Sequence, residues 1–277
     1  MITGILVVTG IVALLAIAWL HERARAEALR SSLFGYIAFN GPEPVDFSSL
    51  AALPPPVSRY FRRVLPEGQH LICSAGMRQF GQLRTAPQDK RWFAFGARED
   101  IVPAAKGFVW DARIRLPFGA HLRVLDSSIA GSASGRISLL SVFPLGTDAG
   151  TPELNAGALH RYLAEAVWCP TALLPQSGVE WTAIDEQSAL ATLCAGDVQV
   201  SLEFRFNAAG EVSGIYTSGR FARMSGEYKL LPWEGHFNDY QRISGILVPG
   251  HGEVGWHVDG QLEIVWKGDI LDIQYDA

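Results

Sequence analysis

The chain has 277 residues, more than a typical domain but within the range of one large all-β or α/β domain. Its 23 Lys and Arg against 28 Asp and Glu leave a net charge of -5, which argues against the basic surface of a nucleic-acid binder. With 48% hydrophobic and 18% charged residues it lacks the composition of a disordered chain, and three cysteines are too few for a disulfide framework.

Much of the apolar excess sits at the start. Residues 2–20 carry no charge, and as a helix they would rise about 28 Å, enough to cross the hydrocarbon core. Trp19 closes the run, where an interfacial aromatic is expected. Ala16-Ile17-Ala18 is a small-x-small cleavage pattern, but no Lys or Arg precedes the apolar run, so an uncleaved single-span anchor is expected. The chain then reads as a single-pass protein of the bacterial inner membrane. Arg23, Arg25 and Arg30 follow the span, and the positive-inside rule puts the following domain on the cytoplasmic face. The widely spaced Cys73, Cys169 and Cys194 are compatible with a reducing compartment.

Three segments follow from this. Residues 1–20 form the transmembrane anchor, 21–52 a helical tether and linker broken at Asn40-Gly41-Pro42 and Pro44, and 53–277 a single antiparallel β-rich domain. At the start of that domain Pro54-Pro55-Pro56 introduces an apolar stripe of Val57, Tyr60, Phe61, Val64 and Leu65, which predicts a helix over 56–65. Its other face carries Arg59, Arg62 and Arg63, which read as a solvated face in preference to a lipid-headgroup contact.

After Gly68 the period changes to two. Phe108, Trp110, Ala112, Ile114 and Leu116 share one face, with Val109, Asp111, Arg113 and Arg115 on the other. Val198, Val200, Leu202, Phe204 and Phe206 alternate as cleanly with Gln199, Ser201, Glu203 and Arg205. Further strands are expected to start near Leu71, Arg91, His121, Ile129, Val179, Glu211, Gly219, Ile243, Glu253 and Leu262, at a spacing of about ten residues. One helix interrupts them. Thr151-Pro152 caps it, Leu159, Tyr162, Leu163, Ala166 and Val167 form its stripe, and Pro170 ends it. His160, Arg161 and Glu165 lie opposite the stripe, so Arg161 and Glu165 read as a surface i, i+4 pair. The result is an α+β domain whose helices all lie on one sheet face, because the apolar strand faces need cover.

Nucleotide-binding glycine loops, HExxH, CxxC and GxSxG are all absent. His251, Glu253 and His257, with His236 nearby, form the best metal candidate, but an extended strand puts the two outer histidines about 20 Å apart. A polar outer sheet face explains them better. Cys169 lacks a local base and reads as a small buried apolar residue. No catalytic residue, metal ligand or cofactor is assigned. Seven of the eight tryptophans lie outside the first 20 residues, enough to line a cavity in a curved sheet or to fill its core.

Several strings resemble an uncharacterised bacterial family known only as a domain of unknown function, 6544-like. They are Leu53-Pro-Pro-Pro-Val57 with Arg59-Tyr-Phe61, Gly107-Phe-Val-Trp-Asp-Ala-Arg113, Arg161-Tyr-Leu-Ala-Glu-Ala166 through Pro175, and Pro232-Trp233, spanning 53–275. The resemblance carries over no activity. The order of elements also looks like the LolA-like lipoprotein-carrier half-barrel. That implies a large curved antiparallel sheet with the inserted helix and short N-terminal helices on its concave face. By analogy with that fold, the domain is expected to bind a lipid or other apolar ligand in the sheet cavity without catalysis. The expected ligand residues are Trp110, Asp111, Arg113, Arg161, Tyr162, Glu165 and Trp168. The alternatives are a hydrolase-like enzyme gathering Asp111, Arg113, Arg161 and Glu165 in one cleft, and an interaction scaffold with a membrane-protein partner.

Overall fold

The computed structural model describes residues 2–37, 43–224 and 226–276, with side chains of the first helix described at positions 9, 10 and from 12 onward. Asn40-Gly41-Pro42, the expected linker break, lies outside the described residues.

Helix α1 (Ile2–Phe34) and helix α2 (Pro55–Val64) precede the sheet. Six strands follow: β1 (Ser74–Leu83), β2 (Phe93–Val102), β3 (Gly107–Arg115), β4 (His121–Ile129), β5 (Ser132–Leu139) and β6 (Phe143–Ala149). Helix α3 (Pro152–Glu165) runs into a series of 3-10 turns over 166–177. The chain then forms β7 (Val179–Ala183), β8 (Ser188–Ala195), β9 (Val198–Phe206), β10 (Val212–Met224), β11 (Glu227–Ile243), β12 (Ile246–Val258) and β13 (Gln261–Asp276).

All thirteen strands join one antiparallel sheet in the order β6-β5-β4-β3-β2-β1-β13-β12-β11-β10-β9-β8-β7. The first and last strands pair at its middle, from Ser74 opposite Asp276 to Leu83 opposite Trp266. The chain thus starts mid-sheet, meanders to one edge, crosses to the other edge through α3, and meanders back. A sheet this wide curls, and α3 lies along its concave side, packed on β3, β4, β5, β9 and β10. The last four strands have 13 to 17 residues, longer than the expected spacing of about ten. Gly219 and Glu253, expected as strand starts, lie inside β10 and β12.

Helix α2 behaves as its stripe requires, with Val57, Tyr60, Phe61 and Val64 fully buried in the main core. Helix α1 does not join it on the concave face. Its Ala26 and Leu33 pack with Val102, Val109 and Leu125 in a second core on the outer face. Helices therefore cover both faces, because the outward side chains of Val102, Val109 and Leu125 are apolar and need burial of their own. Charges fasten the same contact. Arg30 Nε lies 3.0 Å from Asp100 and Arg136 Nη2 lies 2.6 Å from Glu22, while Arg123 pairs with Asp111 at 2.6 Å.

Among the described residues no helix is long and apolar enough to cross a membrane. Helix α1 continues unbroken into the charged stretch that docks on the sheet. The transmembrane helix expected over 2–20, and the single-pass inner-membrane placement drawn from it, find no support in this structure. The expected tether is also part of the folded unit at Leu33, Val45 and Leu50, all buried.

Removing the Glu22 carboxylate leaves Arg136 largely buried without its ion-pair partner. Glu22→Ala is expected to cost about 2 kcal/mol in urea denaturation and to speed amide exchange in 21–34. Unchanged exchange there would mean that apolar packing alone holds the helix.

Candidate ligand-binding cavity

Thr151 caps α3 by accepting a hydrogen bond from the Leu154 N–H at 3.2 Å. Leu159 and Leu163 on its apolar stripe are fully buried. The polar side of α3 is not the solvated face its sequence suggests. Because the sheet wraps around the helix, the side chains of Arg161 and Glu165 are only 20% and 14% exposed and face the strands. The expected surface pair is therefore an interior one, with Arg161 Nε donating to Glu165 Oε1 at 2.8 Å.

Arg161 is the hub of a charged cluster. Its Nη1 donates to Asp126 of β4 at 3.1 Å, and its Nη2 lies 3.6 Å from the fully buried Glu99 of β2. Its guanidinium stacks over Phe108 at 4.6 Å and Trp110 at 4.9 Å. A chain of bonds secures the floor below, with Trp110 Nε1 donating to Gln79 at 2.9 Å and Gln79 Nε2 donating to Glu99 at 2.7 Å. Burial and the neighbouring Glu165 push the Glu99 carboxyl well above the usual carboxylate range, with Arg161 opposing them. Burial pulls the Arg161 guanidinium down, but Glu165, Glu99 and Asp126 together more than offset it, so it stays charged.

A second arginine, Arg220 of β10, sits across the cavity. It stacks over Trp233 at 4.5 Å and Trp256 at 4.9 Å, and its Nε donates to the Gly157 carbonyl of α3 at 3.1 Å. Burial and the like charge of Arg161 bring its guanidinium down to about 9.

Between these groups lies a cavity of about 150 Å³, walled by Trp110, Trp168, Trp233, Phe237 and Trp266 and bordered by Arg161 and Arg220. A more open cleft of about 460 Å³ beside it shares both arginines and reaches Asp126 and Glu153. Trp168 is held by its Nε1 donating to the Pro249 carbonyl at 3.0 Å and by edge contact with Phe237 at 5.8 Å. Glycine makes room for it, since a Cβ at Gly252 would stand 3.2 Å from the Trp168 ring and 3.3 Å from Phe237. Three buried polar atoms here lack a hydrogen-bond partner: Glu99 Oε1, Glu165 Oε2 and Trp233 Nε1.

The structure brings Trp110, Arg161, Glu165 and Trp168 together around the cavity. Tyr162 lies buried in the main core beside them. Asp111 and Arg113 are on the opposite face of β3, where Asp111 pairs with Arg123 and Arg30 under α1. Strand alternation is the reason, since neighbours of Trp110 and Ala112 must point away from them. The four-residue active site of Asp111, Arg113, Arg161 and Glu165 is not assembled.

Sequence reading missed Glu99, Asp126 and Arg220. Glu99 was findable, because it falls in phase with Phe95, Ala97 and Ile101 on an otherwise apolar strand face. On the outer face, Glu234 gathers His257 at 2.8 Å, Arg205 at 3.1 Å and His236 at 3.2 Å, while His251 pairs separately with Asp269 at 2.7 Å. The polar face expected for these histidines is thus a hydrogen-bonded network centred on Glu234, with His251 and Asp269 beside it. Burial pushes the Cys169 thiol up to about 12, consistent with a small core residue.

A family model described as a family of unknown function (DUF6544) matches residues 43–268. No curated protein sequence matches the chain. Among solved structures, the chain is similar to a LolA superfamily protein from Nitrosomonas europaea. The two share 11% identity with a TM-score of 0.42, over 84% of this chain and 94% of that one. It is also similar to a beta-barrel-like protein of the domain of unknown function DUF1849 from Brucella abortus. There the identity is 6% and the TM-score 0.23, over 74% of this chain and 99% of that one.

Proposed function

The chain belongs to the family of unknown function DUF6544, which supplies no activity to carry over, and we propose that it binds a lipid or other apolar or amphipathic small molecule between α3 and the concave sheet. The observation that carries this reading is the aromatic-walled cavity of about 150 Å³ between α3 and the sheet. Protein interiors hold few voids larger than a water molecule, so an aromatic-walled space of this size is a candidate for a guest. The adjoining cleft, about 460 Å³, has the volume of an ordinary small-molecule site. Together they offer an apolar end for a hydrocarbon group and a polar mouth for whatever that group carries.

The test fills the cavity. Ala164 of α3 is buried on its wall. Ala164→Phe is expected to fold, because the void accepts the ring, and to weaken binding of octan-1-ol, followed by tryptophan fluorescence, about tenfold or more. Native mass spectrometry of the purified protein is expected to show a co-purifying apolar molecule in the wild type and less of it in the variant. If the wild type takes up neither octan-1-ol nor a co-purifying molecule, the reading fails.

A further inference from the structure

Resting on the cavity reading above, we propose that the ligand is an anionic amphiphile, an aliphatic carboxylate, whose charged oxygens are received by Arg220 and the Trp233 indole N–H. The two arginines at the cavity differ in a way that points to this. Arg161 is surrounded by carboxyl groups: Glu165 at 2.8 Å, Asp126 at 3.1 Å and Glu99 at 3.6 Å. Arg220 has no carboxylate within ion-pair distance among the described residues, and its one hydrogen bond goes from Nε to the Gly157 carbonyl. Its two terminal nitrogens are therefore left to donate elsewhere, in the fork that suits a carboxylate.

The second donor is independent of the first. Trp233 is buried, its ring packs under Arg220, and its Nε1 has no acceptor among the described residues. A buried indole N–H left unpaired costs free energy that an oxygen acceptor would recover. The charged groups facing Arg220 are Arg161, which repels it, and Glu165 and Asp126, which lie beyond ion-pair distance and are engaged by Arg161. Arg220 is thus held below its ordinary pKa of 12.5, and an anion beside it would relieve that. The hydrocarbon end has its place among Trp110, Trp168 and Trp266. Glu99 Oε1 and Glu165 Oε2 are also unpaired, but both carboxyl groups lie within 3.6 Å of Arg161, whose charge a cationic amphiphile would have to approach.

The probes are octanoate, octan-1-ol and octylamine, titrated against the full chain at neutral pH. Octanoate is expected to bind about tenfold or more tighter than octan-1-ol. In Arg220→Gln that gap closes, in Arg220→Lys part of it remains, and in Trp233→Phe, which keeps an aromatic wall, it narrows. Equal affinity for octanoate and octan-1-ol, tighter binding of octylamine, or a gap unchanged in Arg220→Gln overturns the anionic assignment while leaving the cavity reading intact. If Arg220→Gln does not fold, an undiminished gap in Trp233→Phe overturns it instead. Failure of all three probes overturns the anionic assignment, and if no apolar molecule co-purifies either, the cavity reading falls with it.

Discussion

Glu99→Gln is expected to stabilise the protein at neutral pH and to change nothing below the ordinary carboxylate range. Glu99 is fully buried, and desolvation followed by the Glu165 charge raises its carboxyl well above the usual 4.5. The folded chain therefore keeps a proton that the unfolded chain releases above about pH 4.5. Native stability then falls as pH rises from that value towards the folded pKa, by up to about 1.4 kcal/mol per pH unit. Glutamine keeps the shape and accepts the Gln79 hydrogen bond without carrying that proton. Urea denaturation at pH 4 and pH 7 would separate the cases. A variant less stable than wild type at pH 7 would show that Arg161 holds Glu99 as a carboxylate after all.

His160 works in the opposite direction nearby. Burial, then the charge of Arg220, brings its imidazole from 6.5 down to about 4. The unfolded chain binds this proton first, so stability is complete above about pH 6.5 and is lost as pH falls towards 4, by about 3 kcal/mol. The two slopes oppose each other in the wild type. Glu99→Gln is expected to steepen the rise in stability between pH 4.5 and 6.5, and His160→Gln to flatten it.

Trp168→Ala is expected to cost about 3–5 kcal/mol, the largest loss of the substitutions considered. The ring is buried among Phe237, Trp266 and the bare backbone of Gly252, and its removal takes away the Nε1 donor to the Pro249 carbonyl. Trp168→Phe separates the two contributions, because it retains most of the packing and forfeits only the hydrogen bond, about 1–3 kcal/mol. The alanine variant also enlarges the cavity, so decan-1-ol is expected to gain on octan-1-ol relative to wild type. A loss below about 1 kcal/mol would mean that the floor collapses around the missing ring and does not form a rigid wall.

The expectations that held are those set by one strand or one helix turn. Alternation in 107–115 and 198–206 was legible because a half-buried strand repeats every two residues wherever it sits. The α2 stripe and the Thr151 cap were legible for the same local reason. Arg161 and Glu165 were misplaced because spacing gives their relation along a helix but not what lies across from it. Gly252 admits a tryptophan from elsewhere in the chain, a use that no local pattern marks. Asp111 does not belong with Trp110 at the cavity, because the same alternation separates them.

By itself the sequence determined a strand-rich α+β unit with one inserted helix, a large supply of tryptophan, and no familiar catalytic motif. Those properties follow from composition and short-range period. Only the tertiary structure decided that β1 and β13 pair at the centre, that α1 covers the outer face, and that α3 crosses the concave side from edge to edge. Each depends on contacts between residues far apart in the chain, which no local pattern encodes. The cavity is of the same kind. Trp110, Arg161, Arg220 and Trp266 meet only because the sheet curls around the helix, and that curl turned a polar helix face inward to carry the site.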